Sequence, residues 1–219
     1  MKLSENTISA LKNFSQINQS IKISAGSTLS TISSAKTILA KATTEDVFER
    51  SFCIYELSKF LGIVSLMDAP DFTFNDDHMI IQSGNHKVRY GYCAENLIIC
   101  APEREITFPT PEVVFDLTQA ALSTIIKATG IMQLPEIAIV GEEGNLYLRA
   151  VNSKDRGSDE FNVALGETTS NFTVIFKPEY LFKISSGDYK VELTSKKLAR
   201  FAGGNYVYWV ATESSSNFV

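Results

Sequence analysis

The side chains best suited to metal or acid–base chemistry in this 219-residue chain lie around its two histidines. Asp76 and Asp77 directly precede His78, with Asp71 nearby, and such oxygen and nitrogen ligands suit a divalent cation. The same run also has the composition of a solvated turn, and this is the interpretation that we favour. A metal-dependent enzyme that uses Asp76, Asp77 and His78 is kept as an alternative, which predicts tight binding of a divalent ion.

The second histidine stands in the run Ser83-Gly84-Asn85-His86, between two stretches of alternating hydrophobicity. That position predicts a hairpin turn rather than a hydrolase site. The sequence contains no glycine-rich phosphate loop and no HExxH, CxxC or GxSxG motif. No nucleophile is accompanied by an oriented base. The sequence therefore predicts a protein that is not an enzyme and needs no cofactor.

Composition sets broad limits on the class of protein. Hydrophobic residues make up 44% and charged residues 21% of the chain, as is typical of soluble globular proteins. No apolar run approaches the ~18 residues that span a membrane. The three cysteines form no CxxC pair and are expected to be buried free thiols in a reducing compartment. The net charge of −5 is spread evenly along the chain, so that composition leaves nucleic-acid binding open.

Four stretches show the apolar spacing of helices, and alternating strands with Gly/Asn/Asp turns lie between them. A serine at position 4 is expected to cap the first stretch, a glycine at 130 to end the third, and a proline at 178 to open the fourth. The stretches are residues 5–18, 56–66, 117–129 and 178–184.

The order helix, strands, helix, strands occurs twice, and three of the helices follow directly on a strand. A segment with three prolines, residues 94–112, separates the two halves and reads as a connector. Because the apolar face of a helix and that of a sheet must be buried against each other, the pattern predicts an α+β fold. We expect two similar domains, 1–106 and 107–219, each with two helices packed on antiparallel sheets.

Each helical stretch carries one lysine, and its acidic residue falls at the start, where the helix dipole favours negative charge. For any single helix, ordinary side-chain pairs such as Glu56–Lys59 and Glu179–Lys183 are the explanation that we favour. Repetition on four helices favours a shared basic surface that meets phosphates without reading bases. The lysines are Lys12, Lys59, Lys127 and Lys183, and the acidic residues are Glu5, Glu56, Asp116 and Glu179.

Several segments resemble the sliding clamps of T4-type bacteriophages, which are polymerase accessory proteins that confer processivity. The segments are MKLS with ALKNF and IN, IYELSKFLGIVSL, ITFP in the connector, EIAI before a glycine turn, and SGDYKVEL followed by NYVYWVA. They occur in the same order over essentially the whole chain, so that the resemblance is specific although no single segment would be. The connector and the loop at 152–160 depart most from the family pattern.

The resemblance implies a closed homotrimeric ring with two clamp domains per subunit, in which sheets form the outside and helices line a hole for duplex DNA. Lys12, Lys59, Lys127 and Lys183 would then face the DNA. The family is basic at the positions of Lys12, Lys127 and Lys183 and neutral at that of Lys59. Such lysines attract phosphates without regard to sequence, while enclosure prevents escape.

Double-stranded DNA, DNA polymerase, an ATP-driven clamp loader, the transcription machinery and further copies of the chain are the implied partners, with no membrane partner. The implied location is the cytoplasm of the infected bacterial host. Partners in this family dock short apolar peptides, for which the candidate residues are Leu97, Ile98, Ile99, Phe108 and Phe218; the alternative is that these side chains cover the domain junction. The alternative function is a non-enzymatic β-rich structural or assembly protein without DNA contact.

Overall fold

The structure is a computed structural model that describes residues 1–155 and 157–218. The chain forms two compact units, the first comprising Met1–Glu105 and the second beginning at Ile106. The sequence analysis placed the division one residue later, between residues 106 and 107.

The first unit contains two α-helices, seven strands and a short 3₁₀ turn at Glu95–Leu97. Within it, β4 pairs with β1, β3 pairs with β2, and β5, β6 and β7 form a three-stranded antiparallel sheet. Lys2 forms an isolated antiparallel bridge to Asp71 at the edge of β5. In chain order the elements are α1 (Glu5–Ile17), β1 (Ile21–Ile23), β2 (Gly26–Ile32), β3 (Ile38–Phe48), β4 (Phe52–Ile54), α2 (Leu57–Ser65), β5 (Asp71–Phe74), β6 (His78–Ser83) and β7 (His86–Gly91).

The second unit has the same kinds of element. Its strands form one sheet in the order β11-β10-β9-β12-β16 and a second row in the order β15-β14-β13-β8, with antiparallel neighbours. In chain order the elements are β8 (Val113–Leu117), α3 (Gln119–Met132), β9 (Glu136–Glu142), β10 (Asn145–Val151), β11 (Phe161–Glu167), β12 (Phe172–Phe176), α4 (Pro178–Leu181), β13 (Tyr189–Thr194), β14 (Leu198–Gly203), β15 (Tyr206–Ala211) and β16 (Asn217–Phe218).

The strand pairings of the two units correspond. The pair β4–β1 has its counterpart in β12–β9, and β2–β3 in β10–β11. The sheet β5-β6-β7 corresponds to β13-β14-β15, and the bridge of Lys2 to β5 corresponds to the pairing of β8 with β13. Helix α1 packs on β2 and β3, as α3 packs on β9, β10 and β11. The predicted α+β class, with helices packed on antiparallel sheets, is confirmed.

Helix α1 shows how the sequence produces these layers. Leu11 and Phe14 are fully buried and Ile17 nearly so, and burial of each such side chain contributes roughly 1.5–3 kcal/mol. The side chain of Ser4 accepts a hydrogen bond from the backbone N–H of Thr7, so that the predicted cap is confirmed. The exposed residues of the helix, Glu5, Ser9, Lys12 and Gln16, are all polar.

The three predicted joints from strand to helix are all present. Strand β4 leads into α2, β8 into α3 and β12 into α4, with at most two residues between strand and helix. At the second joint Thr118 caps α3 through Ala121 N–H, and at the third joint Pro178 occupies the first turn of α4, as predicted.

Three boundary predictions are wrong. Gly130 lies inside α3, which continues to Met132 because Gln133 adopts the left-handed conformation that closes it. Asp116 lies in β8, opposite Lys190 of β13, and not at the start of α3. Helix α4 ends at Leu181, so that Lys183 lies two residues beyond it. Beyond the helix, the backbone of Ser185 donates to the hydroxyl of Tyr208 and accepts from that of Tyr189.

Candidate nucleic-acid interface

Lys12 lies in the middle of the exposed face of α1. The residues exposed there are Glu5, Ser9, Lys12 and Gln16, which follow one another at spacings of three or four and therefore form one stripe. Glu5 is the one carboxylate of α1 and is in the first turn, where the helix dipole favours it. The rest of the stripe is neutral or basic.

Lys127 has the same setting on α3. Its stripe consists of Ala120, Thr124, Lys127 and Ile131, all exposed. Helix α3 contains no acidic residue over its 14 positions, although the whole chain carries 25 acidic against 20 basic side chains. Small polar or apolar residues thus surround an exposed ammonium group. Such a surface attracts phosphates but carries no side chain that would distinguish bases.

Lys59 is exposed on α2, but it has a partner on its own helix. Its ammonium lies 3.5 Å from the carboxylate of Glu56, which confirms the predicted pair. An exposed pair of this kind is weak and is screened by salt, and a phosphate could compete with the carboxylate for Lys59.

Lys183 lies close to α4 rather than on it. The first part of α3 and the segment that follows α4 line a cavity of about 240 Å³, whose lining includes Lys127, Ser123, Phe182 and Ser186. The structure therefore brings Lys127 to the segment that carries Lys183.

A further lysine, which the sequence pattern did not indicate, lies beside α4. Lys177 is exposed at the position before Pro178, and its ammonium lies 5.9 Å from the centre of the Tyr180 ring. A proline at the first turn of a helix marks the preceding residue as its cap, so that the sequence already contained the signal that Lys177 adjoins the helix.

The proposed peptide-binding residues of the first unit lie together. Leu97 is 62% and Ile99 42% exposed, and both line a cavity of about 410 Å³ with Ile98 and Tyr55. We call Leu97, Ile98 and Ile99 the connector ledge. Apolar side chains exposed in a contiguous patch are a recurrent feature of binding surfaces.

Phe108 and Phe218 belong to the second unit and lie at different places within it. The Phe108 ring lies 5.3 Å from the guanidinium of Arg200 in β14. The Phe218 ring stacks on Phe172 of β12, with 5.4 Å between the ring centres. Both side chains are half-buried and have partners in their own unit.

The acidic residues around His78 are engaged by cations. Asp77 accepts a hydrogen bond of 2.5 Å from His78 and one of 2.9 Å from Arg89, and Asp76 lies 2.6 Å from Arg50. The hydrogen bond from His78 lowers the pKa of Asp77. Within residues 1–155 and 157–218, no group of three or more histidine, cysteine or acidic side chains is arranged to hold a metal ion.

The three cysteines are free thiols; Cys53 is buried, whereas Cys93 and Cys100 are half-buried rather than buried as expected. Burial raises the pKa of Cys53 to about 11, which keeps it protonated at neutral pH. No helix in the described part of the chain is long and apolar enough to cross a bilayer.

Comparison with known proteins identifies the family. The profile of the gp45 sliding clamp, C terminal, matches residues 114–214. The sliding clamp of Vibrio phage KVP40 is 32% identical to this chain over 98% of the chain and 100% of that protein. The sliding clamp of Enterobacteria phage T4 is 31% identical over 99% of this chain and 98% of the relative.

Solved structures show the same fold at low identity. The Proliferating Cellular Nuclear Antigen of Entamoeba histolytica superposes with a TM-score of 0.70 at 14% identity, covering 95% of each chain. The Helicobacter pylori beta clamp bound to a DNA ligase peptide superposes with a TM-score of 0.65 at 14% identity, covering 99% of this chain and 68% of that one. The phage relatives match over nearly their whole length, and the chain therefore belongs to the bacteriophage sliding-clamp family.

Proposed function

We propose that this sliding clamp encircles duplex DNA as a homotrimeric ring and tethers the replicative DNA polymerase to its template in the infected host cell. An ATP-driven clamp loader places the ring on DNA. The chain itself has no phosphate-binding loop, so that the binding and hydrolysis of ATP belong to the loader. Enclosure then holds the protein on DNA, and the tethered polymerase gains a high effective concentration at the primer end.

The observation that carries this proposal is the charge layout of the helices. Lys12 and Lys127 stand on exposed stripes that have no carboxylate beyond the first turn, in a protein with a net charge of −5. Sparse, flexible ammonium groups attract the DNA backbone through release of counterions, an attraction that does not depend on base sequence. A ring must be held on DNA without being held at one place, and such contacts meet both needs. Lys183, and with less support Lys59, belong to the same surface.

The outer strands β7 and β11 support assembly into a ring. Each is paired on one side, with β6 and β10 respectively, and neither contains a buried residue. Unpaired strand edges are the usual route by which chains associate. Strand β7 carries His86, Lys87 and Arg89, whereas β11 ends in Glu167 and follows Glu160.

Pairing β7 of one subunit with β11 of the next would therefore join a basic edge to an acidic one. Because the two edges differ, the contact is head-to-tail, and a head-to-tail contact gives a ring when the rotation between subunits closes. Three subunits are the number that the family resemblance implies.

The connector ledge is the proposed docking site for an apolar peptide segment of the polymerase. The Helicobacter pylori beta clamp, which has the same fold, is bound to a DNA ligase peptide, so that this fold can bind a peptide. The connector up to residue 105, which carries the ledge, holds three carboxylates, Glu95, Glu103 and Glu105, against the cations Lys22 and Arg104, and this excess of negative charge favours a peptide with a basic residue beside its apolar ones. Phe108 and Phe218 are secondary candidates because each already packs within the second unit.

The test is a triple charge reversal, Lys12→Glu, Lys127→Glu and Lys183→Glu, assayed for stimulation of the polymerase on primed circular DNA with the clamp loader and ATP. Loss of attraction at the helices should abolish stimulation, while light scattering should show an unchanged mass.

The matched control reverses Lys36, Lys154 and Lys196, which are exposed lysines away from the four helices. Both triple variants change the net charge from −5 to −11, and therefore differ only in where the charge is. Normal stimulation by the helix variant, or equal loss in both variants, would contradict the assignment of a DNA-facing surface.

A further inference from the structure

The first part of the connector is fastened to the body of its unit. The backbone N–H of Cys93 donates to the carbonyl of Cys53 in β4, at 3.1 Å. Farther along, the side-chain amide of Asn18 donates to the carbonyl oxygens of Ile32, at 2.9 Å, and Ile99, at 3.1 Å. The chain is thus held just before the connector, at Cys93, and at the last residue of the ledge, Ile99.

Lys22 supplies two more attachments. It lies in β1, opposite Cys53 of β4, and its ammonium is 2.8 Å from Glu95 and 2.7 Å from Glu103. The two carboxylates are eight residues apart and stand on either side of Leu97, Ile98 and Ile99. The ammonium of Lys22 therefore joins the two ends of the loop that carries the ledge. We call Lys22, Glu95 and Glu103 the connector clasp.

The clasp joins one withdrawn cation to two exposed carboxylates, Glu95 at 57% and Glu103 at 77% side-chain exposure. The side chain of Lys22 is only 17% exposed, and its hydrogen bonds with Glu103 and Glu95 raise its pKa above 10.5. The same hydrogen bond from Lys22 lowers the pKa of Glu103. Hydrogen bonds in which both donor and acceptor are ionised are stronger than those between neutral groups.

The clasp has a consequence for the ledge. A loop whose apolar side chains face water gains little from burial and would otherwise sample many conformations. Fastening it on both sides keeps Leu97 and Ile99 exposed in one arrangement before any partner arrives. The conformational entropy of the loop is then lost when the protein folds, and its loss does not reduce the affinity for a partner.

We propose that Lys22 is a positioning residue for partner docking, which holds the connector ledge in its binding conformation through Glu95 and Glu103. This proposal depends on the proposed docking of the polymerase at the ledge. Lys22 contacts no partner itself, and its effect passes through the connector.

The experiment compares Lys22→Met, which keeps length but removes charge, with Lys22→Arg, which keeps the charge. Amide hydrogen exchange of residues 95–103 is measured on the full-length clamp, and calorimetry measures its affinity for the purified replicative polymerase. For Lys22→Met we expect exchange about tenfold faster in the connector and affinity about tenfold weaker. Exchange in β9 and β10 should not change, and Lys22→Arg should restore most of both effects. If Lys22→Met does not fold, Glu103→Gln tests the same contact from its exposed end.

A second variant separates this proposal from the one on which it depends. Leu97→Ser with Ile99→Ser removes the apolar ledge and leaves the clasp in place. Native polymerase affinity in that variant would refute docking at the ledge. Lost affinity in that variant, combined with native exchange or native affinity in Lys22→Met, would refute the role of Lys22 alone.

Discussion

At the scale of residues, position in the fold decides what a lysine does. Lys12 and Lys127 are exposed on helices, whereas Lys22 is withdrawn between two carboxylates. In the sequence, each of the three is a single lysine among polar and apolar residues, so that the local pattern does not distinguish their roles. The first two can meet a mobile phosphate because α3 has no carboxylate and the one carboxylate of α1, Glu5, lies seven positions before Lys12. Lys22 is already committed, and its charge serves the connector.

The clasp should depend on pH in a defined direction. The pKa of Glu103 in the folded protein is below its ordinary value of 4.5, so that its contribution is complete above pH 4.5 and is lost as the pH falls through the lowered value. The pKa of Lys22 is raised, so that its contribution is complete below 10.5 and is lost only at higher pH.

We therefore expect exchange protection of residues 95–103, corrected for the intrinsic rate, to be flat from about pH 5 to pH 8 and to fall in more acidic solution. Amides of β9 and β10 serve as the reference for general unfolding. The Lys22→Met variant should lack this acid step, and a step near neutral pH in the native protein would contradict the assignment to Glu103.

At the scale of elements, the clearest lesson comes from α3. Its sequence contains a glycine two residues before its end, which predicted an earlier stop. Added atoms at Gly130 would meet nothing within 4 Å, and its backbone is helical. The stop comes instead at Gln133, in the left-handed conformation, where the N–H of Leu134 bonds to the carbonyl of Thr129.

Gly130→Ala should therefore stabilise the protein by about 0.5–1 kcal/mol, because alanine loses less backbone entropy in a helix. Urea unfolding followed by circular dichroism gives the free energy of unfolding. Gly144→Ala is the matched control, since that site is equally open but has a φ of +82° in the β9–β10 turn. Alanine there should destabilise, and equal effects at the two positions would show that helix continuity at Gly130 is not the cause.

At the scale of the whole molecule, the outer strands make the isolated chain incomplete. Strands β7 and β11 expose backbone groups along one side together with side chains such as Val88 and Phe161. Natural sheets protect such edges unless they are used in assembly. The basic and acidic character of the two edges would also exclude pairing of β7 with itself.

Charge reversal should disrupt the contact between β7 of one subunit and β11 of the next, and a second reversal should restore it. Lys87→Glu with Arg89→Glu should shift light-scattering mass from a trimer, three times the 24.2 kDa of one chain, towards a monomer at low micromolar concentration, because like charges would then meet across the joint. Adding Glu160→Lys and Glu167→Lys to the same chain should restore much of the trimer. The Arg89–Asp77 pair that is lost is exposed and contributes little to folding. A trimer that survives the first pair of changes would refute a joint between β7 and β11.

Much of the architecture follows from local pattern. Apolar spacing located all four helices, and the three strand-to-helix joints and the α+β class were evident before any coordinates. The phage resemblance located the family, which the comparisons then established. These features are local or are repeated along the whole chain. The spacing of apolar residues within a segment is enough to predict a helix or a hairpin there.

The sequence by itself determined which elements form and where their charges fall along the chain. Only the tertiary structure decided where elements end and which charges are in use. Asp116 is a strand residue because β13, more than seventy positions later, pairs with β8. Lys183 leaves the helix near tyrosines whose hydroxyls bond the backbone of Ser185, and Lys22 meets carboxylates more than seventy residues away. Hydrogen bonds between distant segments select among local backbone conformations of nearly equal energy. The local sequence pattern therefore cannot predict which conformation is adopted.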